Sequence, residues 1–413
     1  MKISIPYGRC GKQEFEIPDN NFMGIICPNE VDVHDERKTI KGAIDSPINL
    51  PCLEKFLSGA KNVVFIVNDA TRPTPTSKVL DVLDEIMDLE AAKYLIATGS
   101  HRSPTPEEYN FIFGRHFERL AQKIHSHDSK KDEMVYIGRS KNGTEMWLNR
   151  IVIDADRLIV ITSVEPHYFA GYTGGRKSFF PGLAAYETIE QNHKLAMRPE
   201  AKILALEGNP VHEDMMDALS ALDLKKFFSI QLVLDRHQRV YRAAAGDLNI
   251  AFRQAVEWAN EVFVVPIKTK ADVIVSVAPY PMDVDLYQSQ KALDNAKWAL
   301  NKGGIIILVS QCRSGVGHDT FYKQLTLSDD PHKILENLSK DYKLGYHKAA
   351  KIAEMLLESQ LFAVTDLDPD LLRKANITPF NSVQSAIDAA LNVNKDAKFL
   401  VLMDGSVTVP KVS

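Results

Sequence analysis

Residues 62–99, NVVFIVNDATRPTPTSKVLDVLDEIMDLEAAKYLIATG, decide the fold class. The two apolar runs in this stretch, at 63–69 and 93–99, are nearly continuous, which is typical of strands covered on both faces in a parallel sheet. Between them, residues 77–89 repeat leucine and methionine at helical spacing, so these side chains share one face. The stretch therefore predicts a strand, a helix and a second, parallel strand.

The same alternation continues along the chain. Further apolar runs that predict strands lie at 157–164, 230–235, 272–278, 304–310, 361–365 and 399–403. Helical patterns separate these runs, which indicates the α/β class with mostly parallel sheets.

The chain has 413 residues, more than one hydrophobic core usually supports, so we expect two α/β domains with a cleft between them. The change falls near the P-I-K-T-K segment at 266–270, which gives an N-terminal domain at 1–268 and a C-terminal domain at 269–389. The tail, 390–413, contains Asp404-Gly405 between two apolar runs, which predicts a hairpin. The pattern leaves open whether this tail packs on the second domain or returns to the first.

Composition excludes several classes of protein. A net charge of −5 shows no basic excess, so we expect no nucleic-acid partner. No apolar run approaches the roughly 20 residues that a membrane helix needs. The four cysteines are widely spaced and the N-terminus lacks a signal-peptide core, which favours a reducing, cytoplasmic location.

Charged and imidazole side chains follow three of the predicted strands. Asp69 and Arg72 follow the first, His101 the second, and a loop carrying His167 and Lys177 the third. Ligands of parallel α/β sheets bind beyond the carboxyl ends of the strands, so we expect these side chains at one edge. Two histidines suit proton removal and delivery, while the carboxylate can orient a histidine and the guanidinium can hold a substrate carboxylate.

The third loop is rich in glycine. Gly171, Gly174 and Gly175 permit positive φ and a close approach of the backbone to a ligand. The loop nearly matches the phosphate-binding pattern G-x-x-x-x-G-K-[ST], but Arg176 replaces the glycine required before Lys177. A nucleotide site is therefore disfavoured, although the pattern alone leaves it open.

Two helical segments carry further candidates. His193 lies on the predicted helix at 183–197, where it is either a metal ligand or a core histidine. Tyr287, Gln288 and Lys291 fall on one side of a predicted helix, where they either bind an anionic substrate or form an ordinary polar face.

Five strings together resemble the nickel-dependent lactate racemase family. They occur in the family's order, and with the opening I-P-Y-G and the late G-Y-H-K-A-A at 345–350 the resemblance covers nearly the whole chain. The strings are D-A-T-R-P-T-P (69–75), A-T-G-S-H-R (97–102), H-Y-F-A-G-Y-T-G-G-R-K (167–177), N-H-K (192–194) and Y-Q-S-Q-K (287–291).

The resemblance implies a cofactor and an activity. The cofactor is nickel pyridinium-3,5-bisthiocarboxylic acid mononucleotide, joined to Lys177, with nickel coordinated by His193. The activity is racemisation or epimerisation at C2 of a 2-hydroxy acid, by removal and return of a hydride, with His101 and His167 as acid and base. The N-terminal domain would then bind the cofactor and the C-terminal domain would close over the substrate.

The resemblance also implies roles for the remaining candidates. Those expected at the cofactor are Asp69, Arg72, Gly174 and Gly175, and those expected at the substrate are Arg72, Tyr287, Gln288 and Lys291. Enzymes that build the cofactor are implied as partners, and without them we expect the cofactor-free protein. The oligomeric state is left open.

One departure from the family leaves the substrate open. Members that act on lactate often carry a late tryptophan near the substrate, but here the last tryptophan is Trp298. Tyr342, Tyr346 and His347 are candidates to replace it, which favours lactate or a larger, more polar relative. Two other functions stay open: a kinase-like nucleotide-binding enzyme and a non-catalytic carrier of the nickel cofactor.

Overall fold

The computed structural model describes residues 1–340 and 342–413. These residues divide into two compact units. The central unit is Glu30–Val262, and the discontinuous unit combines Met1–Asn29 with Phe263–Ser413.

Strands and helices alternate through both units. The strands are β1 Lys2–Tyr7, β2 Gly11–Glu16, β3 Phe22–Ile26, β4 Val63–Asn68, β5 Lys93–Ala97, β6 Ile124–Ser126, β7 Met134–Arg139, β8 Glu145–Asn149, β9 Arg157–Ser163, β10 Pro166–His167, β11 Gly171–Tyr172, β12 Phe227–Leu234, β13 Val240–Gly246, β14 Val264–Ile267, β15 Ala271–Val277, β16 Leu300–Val309, β17 Gln360–Val364, β18 Thr378–Pro379, β19 Phe399–Leu402 and β20 Val409–Val412. The α-helices are α1 Glu36–Asp45, α2 Leu53–Leu57, α3 Thr76–Leu83, α4 Pro106–Phe113, α5 Phe117–Leu120, α6 Arg150–Ile153, α7 Tyr186–Lys194, α8 Pro210–Ser220, α9 Leu248–Phe263, α10 Leu286–Ala296, α11 Asp319–Leu325, α12 Pro331–Lys340, α13 Tyr346–Glu358, α14 Pro369–Lys374 and α15 Val383–Val393.

The central unit is built on a six-stranded sheet in the order β13-β12-β9-β4-β5-β6. All neighbouring strands are parallel except β12 and β13. Phe65, Ile159 and Ile230 from three of these strands are fully buried in one apolar cluster. The burial of the strands on both faces explains why their sequences are apolar throughout.

The discontinuous unit contains a second six-stranded sheet, in the order β18-β17-β16-β15-β19-β3, and every pair in it is parallel. Its core includes Val275, Ile307 and Val401, all fully buried. The predicted α/β class with mostly parallel sheets is confirmed, and each predicted strand overlaps an observed one.

The division of the chain differs from the predicted boundaries of 1–268 and 269–389. Residues Met1–Asn29 belong with the C-terminal part, because β3 pairs in parallel with β19 and thereby becomes the edge of the second sheet. The predicted hairpin in the tail at 390–413 is wrong. Strand β20 turns away from β19 and pairs in parallel with β14, so the tail packs within the discontinuous unit.

Local capping explains where several helices begin. The sequence T-P-E-E at 105–108 predicts a capping box at the start of α4. The structure has it: the Thr105 side chain accepts a hydrogen bond from the backbone N–H of Glu108, and the Glu108 side chain accepts one from the backbone N–H of Thr105. Asn209 caps α8 ahead of a proline at its first position. Of the helices in residues 1–340 and 342–413, none combines the length and apolarity needed to cross a membrane.

Candidate active site

Three adjacent strands deliver the candidate side chains to one edge of the central sheet. Strand β4 lies between β5 and β9, and all three run parallel. Asp69 follows the end of β4, His101 follows β5, and the glycine-rich loop follows β9. The expectation that these side chains share an edge is therefore met by the topology.

Asp69 and His101 form a hydrogen-bonded pair. His101 Nδ1 lies 2.7 Å from Asp69 Oδ2, and the Thr71 hydroxyl donates to Asp69 Oδ1 at 2.7 Å. Asp69 is only 7% exposed, and this burial by itself would raise the pKa of its carboxyl. The pKa nevertheless lies below its ordinary value, because the carboxylate is stabilised by the hydrogen bond and charge of His101, by the Thr71 hydroxyl and by the charge of Arg72. The ionised carboxylate keeps the proton of neutral His101 on Nδ1, which leaves Nε2 with a lone pair.

Arg72 links the first loop to the third. Its Nη1 lies 3.3 Å from Glu165 Oε1, and its backbone N–H donates to the Asp69 carbonyl oxygen at 3.2 Å. Both side chains of the ion pair are largely buried. The guanidinium predicted to hold a substrate carboxylate therefore has a carboxylate of the protein beside it.

Phe169 is the common neighbour of three candidate residues. The centroid of its ring lies 4.6 Å from that of His167 and 5.1 Å from that of His193, and Lys177 Nζ lies 5.4 Å from it. All three residues therefore lie within 5.4 Å of the centre of one ring, measured from the imidazole centroids and from Nζ. The structure brings them together although 26 positions of sequence separate the two histidines.

His167 occupies a short hairpin inside the loop. Strands β10 and β11 pair so that His167 faces Gly171, and the Ala170 N–H donates to His167 Nδ1 at 3.3 Å. A backbone N–H is always a donor, so Nδ1 carries the lone pair and neutral His167 carries its proton on Nε2. The two histidines predicted as acid and base therefore have opposite tautomers.

His193 lies near the end of α7, a helix shorter than the predicted 183–197. Its Nδ1 is buried. Desolvation and, to a smaller extent, the charges of Lys177 and His101 together lower the pKa of His193 to about 3, although a hydrogen bond to the Ile189 backbone opposes them. At neutral pH the imidazole is uncharged, as a metal ligand must be.

Arg176 explains why the phosphate-binding pattern fails. Its guanidinium, with 1% of the residue exposed, donates to the carbonyl oxygens of Ala170, Thr173 and Gly174 at 2.6, 3.4 and 3.3 Å and lies 4.6 Å from the centroid of the Phe252 ring. Burial lowers its pKa to about 9, so it stays charged at neutral pH. The side chain at the position of the missing glycine points into the protein and fixes the loop.

Gly174 and Gly175 have the positive φ expected of them, 80° and 52°. A Cβ on Gly174 would lie 2.6 Å from Val164 Cγ2, and one on Gly175 would lie 2.9 Å from Phe252 Cγ. The close approach that requires glycine is therefore an approach to other parts of the protein.

Tyr287, Gln288 and Lys291 lie on α10, in the discontinuous unit. The Tyr287 ring lies near three other side chains of this unit, among its neighbours: its centroid is 5.5 Å from that of the His318 ring, 5.4 Å from that of the Phe321 ring and 3.7 Å from Lys348 Nζ. Desolvation raises the pKa of Tyr287 to about 12, so its phenol stays protonated and able to donate.

Of the late candidates, Tyr346 and His347 lie in the first turn of α13, and Tyr342 precedes the helix. The Tyr342 hydroxyl lies 2.8 Å from His347 Nδ1, and the Tyr342 and Tyr346 rings meet edge to face at 6.1 Å.

Sequence reasoning missed Phe169, Glu165 and the inward role of Arg176. The one available signal was the run of three aromatic or imidazole rings at 167–169, which a solvated turn does not need. Within the described part of the chain, no three His, Cys, Asp or Glu side chains gather as a metal-binding group.

Comparisons with known proteins cover the whole chain. The family model of the lactate racemase N-terminal domain matches residues 7–203, and that of the lactate racemase C-terminal domain matches residues 267–409. A lactate racemase of Thermoanaerobacterium thermosaccharolyticum is 33% identical, with 98% of this chain and 97% of the relative aligned. A lactate racemase of Lactiplantibacillus plantarum is 31% identical over the full length of both chains.

Two solved structures are also similar to this chain. The lactate racemase apoprotein of Thermoanaerobacterium thermosaccharolyticum superposes with a TM-score of 0.91, at 31% identity and complete coverage of both chains. A Thermotoga maritima protein shares the fold, with a TM-score of 0.71 at 19% identity over 93% of this chain and all of that one. The domain matches and the full-length identity show that this chain belongs to the lactate racemase family and is a racemase, hence an isomerase.

Proposed function

We propose that the chain inverts C2 of a 2-hydroxy acid, lactate or a larger and more polar relative, by removing and returning a hydride. The observation that carries the proposal is the grouping of His167, Lys177 and His193 around one ring, with the charge of His101 acting on His193. Direct abstraction of the C2 proton of a 2-hydroxy acid is very difficult because that C–H bond is not acidic. Loss of a hydride together with the hydroxyl proton avoids a carbanion and gives a planar 2-keto acid.

The nickel pincer mononucleotide implied by the sequence resemblance fits the residues present. Lys177 would hold it covalently and His193 would coordinate the nickel, for which a neutral imidazole is required. The lowered pKa of His193 supplies that neutral form over the whole physiological range. When bound, the cofactor supplies an electron-poor pyridinium ring able to accept a hydride. Gly174 and Gly175 would shape the loop that carries Lys177.

The two histidines would move the hydroxyl proton. His101, with its proton held on Nδ1 by Asp69, can accept the substrate's proton at Nε2 and become a cation stabilised by that carboxylate. His167, with its proton on Nε2, can donate to the oxygen of the keto acid when the hydride returns to the other face. A racemase needs both directions, so the pair would exchange roles between the two enantiomers.

Arg72, Tyr287, Gln288 and Lys291 remain predictions as substrate-binding residues. Arg72 can release part of its hold on Glu165 to bind a carboxylate, because the ion pair is long, at 3.3 Å. Tyr287 offers a neutral phenol donor. The enzymes that build and insert the cofactor are the partners that the proposal requires.

A chiral assay with histidine variants tests the proposal. The chain, coexpressed with cofactor-building enzymes, is incubated with single enantiomers of lactate and of larger 2-hydroxy acids, and the opposite enantiomer is measured. We expect inversion of at least one acid, and a loss of at least about 10²-fold in kcat for His101→Ala and for His167→Ala. His237→Ala, a change at an exposed histidine on a surface turn, is the matched control and should keep wild-type turnover.

The outcomes separate the competing functions. Cofactor loading on Lys177 without turnover of any acid would favour the carrier, and magnesium-dependent binding of ATP without inversion would favour the nucleotide enzyme. Either result would overturn the proposal.

A further inference from the structure

The ring of Phe169 contacts the candidate site from several sides. The rings of His167 and His193 meet it edge to face, at interplanar angles of 89° and 70°. Lys177 Nζ lies 5.4 Å from the ring centroid, within the range of a cation–π interaction. The residue is 2% exposed, so all three contacts are made in a region largely shielded from solvent.

The main chain holds this ring in place. The Phe169 carbonyl oxygen accepts a hydrogen bond of 2.9 Å from Asn209 Nδ2, and Asn209 is itself fully buried as the cap of α8. The following residue, Ala170, is fixed through its carbonyl oxygen by Arg176 and donates its N–H to His167. The backbone on both sides of the ring is therefore anchored, and the ring has little freedom to shift.

An aromatic side chain has a property here that an aliphatic one lacks. Its face attracts an ammonium group, so the ring contributes to holding Nζ close to a prospective metal ligand. Its positive edge and negative face also favour tilted contacts with imidazole rings over arbitrary packing. A leucine would fill much of the volume but would provide neither effect.

We propose that Phe169 is a positioning residue that sets the spacing of Lys177, His193 and His167. The inference goes beyond the proposed function in assigning a role to a residue with no reactive group, and it rests on that function only for its catalytic consequence. Its structural part, the hold on the Lys177 amine, is a property of the cofactor-free protein.

The first test measures the Lys177 amine in the cofactor-free chain. Brief acetylation with acetic anhydride at pH 8, followed by mass spectrometry of the peptide containing Lys177, reports how readily the reagent reaches the amine. Loss of the cation–π contact in Phe169→Leu should raise acetylation about two- to fivefold, because the amine is no longer held over the ring. Phe169→Tyr keeps the ring and should stay within the wild-type range.

Phe113→Leu is the matched control. Phe113 is a fully buried phenylalanine of α4 in the same unit, packed edge to face on Tyr94. Its substitution leaves a comparable cavity but should not change labelling of Lys177. Phe169→Met, with a flexible side chain of similar volume, serves if the leucine variant does not fold, and should raise acetylation in the same way.

The second test measures turnover of the loaded enzyme. Phe169→Leu should lower kcat at least tenfold with KM within about threefold, because substrate-binding groups are unchanged while the reacting groups are displaced. Phe169→Tyr, which keeps the aromatic ring, should retain most of the wild-type kcat. Labelling and kcat in Phe169→Leu that match Phe113→Leu would overturn the positioning role. Absence of turnover in the wild-type chain would instead refute the proposed function, and the labelling result would still decide the role of Phe169.

Discussion

His193 makes the stability of the cofactor-free protein depend on pH in a defined direction. Its pKa is lowered to about 3 in the folded chain, first by desolvation and then by the charges of Lys177 and His101, against an ordinary value of 6.5. Between these values the unfolded chain binds the proton and the folded chain does not. The free energy of unfolding therefore falls as the pH falls below 6.5.

The magnitude follows from proton linkage. One group that is protonated only in the unfolded state changes the free energy of unfolding by about 1.4 kcal/mol per pH unit. The His193 residue keeps some exposure, so we expect about 1 kcal/mol per pH unit between pH 5 and 6, where the unfolded state is mostly protonated. His212 and His127, whose pKa values burial also lowers, add slopes of the same sign that remain in a His193 variant.

The substitution His193→Gln should therefore flatten the dependence by about 1 kcal/mol per pH unit from pH 5 to 6. The free energy of unfolding is measured by urea unfolding at half-unit pH steps from 5 to 7.5, followed by tryptophan fluorescence. Trp147 and Trp258 both lie in the central unit and therefore report on its unfolding. His237→Gln, at an exposed position, is the control and should keep the wild-type slope. Parallel curves for His193→Gln and the wild type would refute the buried, uncharged state of this imidazole.

Three further substitutions test the loop and the histidine pair. Gly174→Ala should lower the free energy of unfolding by about 1–3 kcal/mol, because φ is 80° and the new Cβ would lie 2.6 Å from another side chain. Gly143→Ala is the control and should cost less, because φ is 88° but nothing lies within 4 Å of the new Cβ. Thermal denaturation of both variants measures the difference. Arg176→Met should cost about 2–4 kcal/mol in urea unfolding, because the change leaves carbonyl oxygens of the loop without their buried donor; a loss below 0.5 kcal/mol would contradict the role of the guanidinium. Asp69→Asn should lower kcat about 10- to 100-fold, because His101 loses the carboxylate that fixes its tautomer; a chiral assay in which KM changes and kcat does not would count against this.

The inner strands of both six-stranded sheets were predictable, because a strand buried on two faces has few alternatives to a continuous apolar run. The edge strands β3, β6, β13 and β18 were not predicted. The loops that follow β4, β5 and β9 were also predictable, since the ends of the strands fix where polar side chains gather. The capping box at Thr105 was equally local, because three neighbouring residues specify it.

The pairing of distant segments was not predictable in this way. Strand β3 joins the second sheet through β19, from the other end of the chain, and no local pattern encodes a parallel partner so remote. The turn at Asp404-Gly405 has hairpin composition, yet β20 pairs in parallel with β14 and not with β19. Tertiary pairing here overrides a turn signal that is valid only when the flanking strands are neighbours.

Some residues of the candidate site could be predicted from the sequence and others could not. Residues with reactive groups, such as His101 and Lys177, could be proposed from residue type and position after a strand. Phe169 and Arg176 could not, because an apolar ring and a buried guanidinium act through contacts that only the folded loop reveals.

Transfer of hydrogen at C2 without exchange is the property that most directly separates internal hydride return from proton abstraction. The loaded enzyme is given one enantiomer of a 2-hydroxy acid in deuterated buffer, and the inverted product is examined for deuterium at C2. We predict inversion with the original hydrogen retained at C2, because only the hydroxyl proton passes through His101 and His167. Deuterium at C2 in step with inversion would contradict the hydride mechanism.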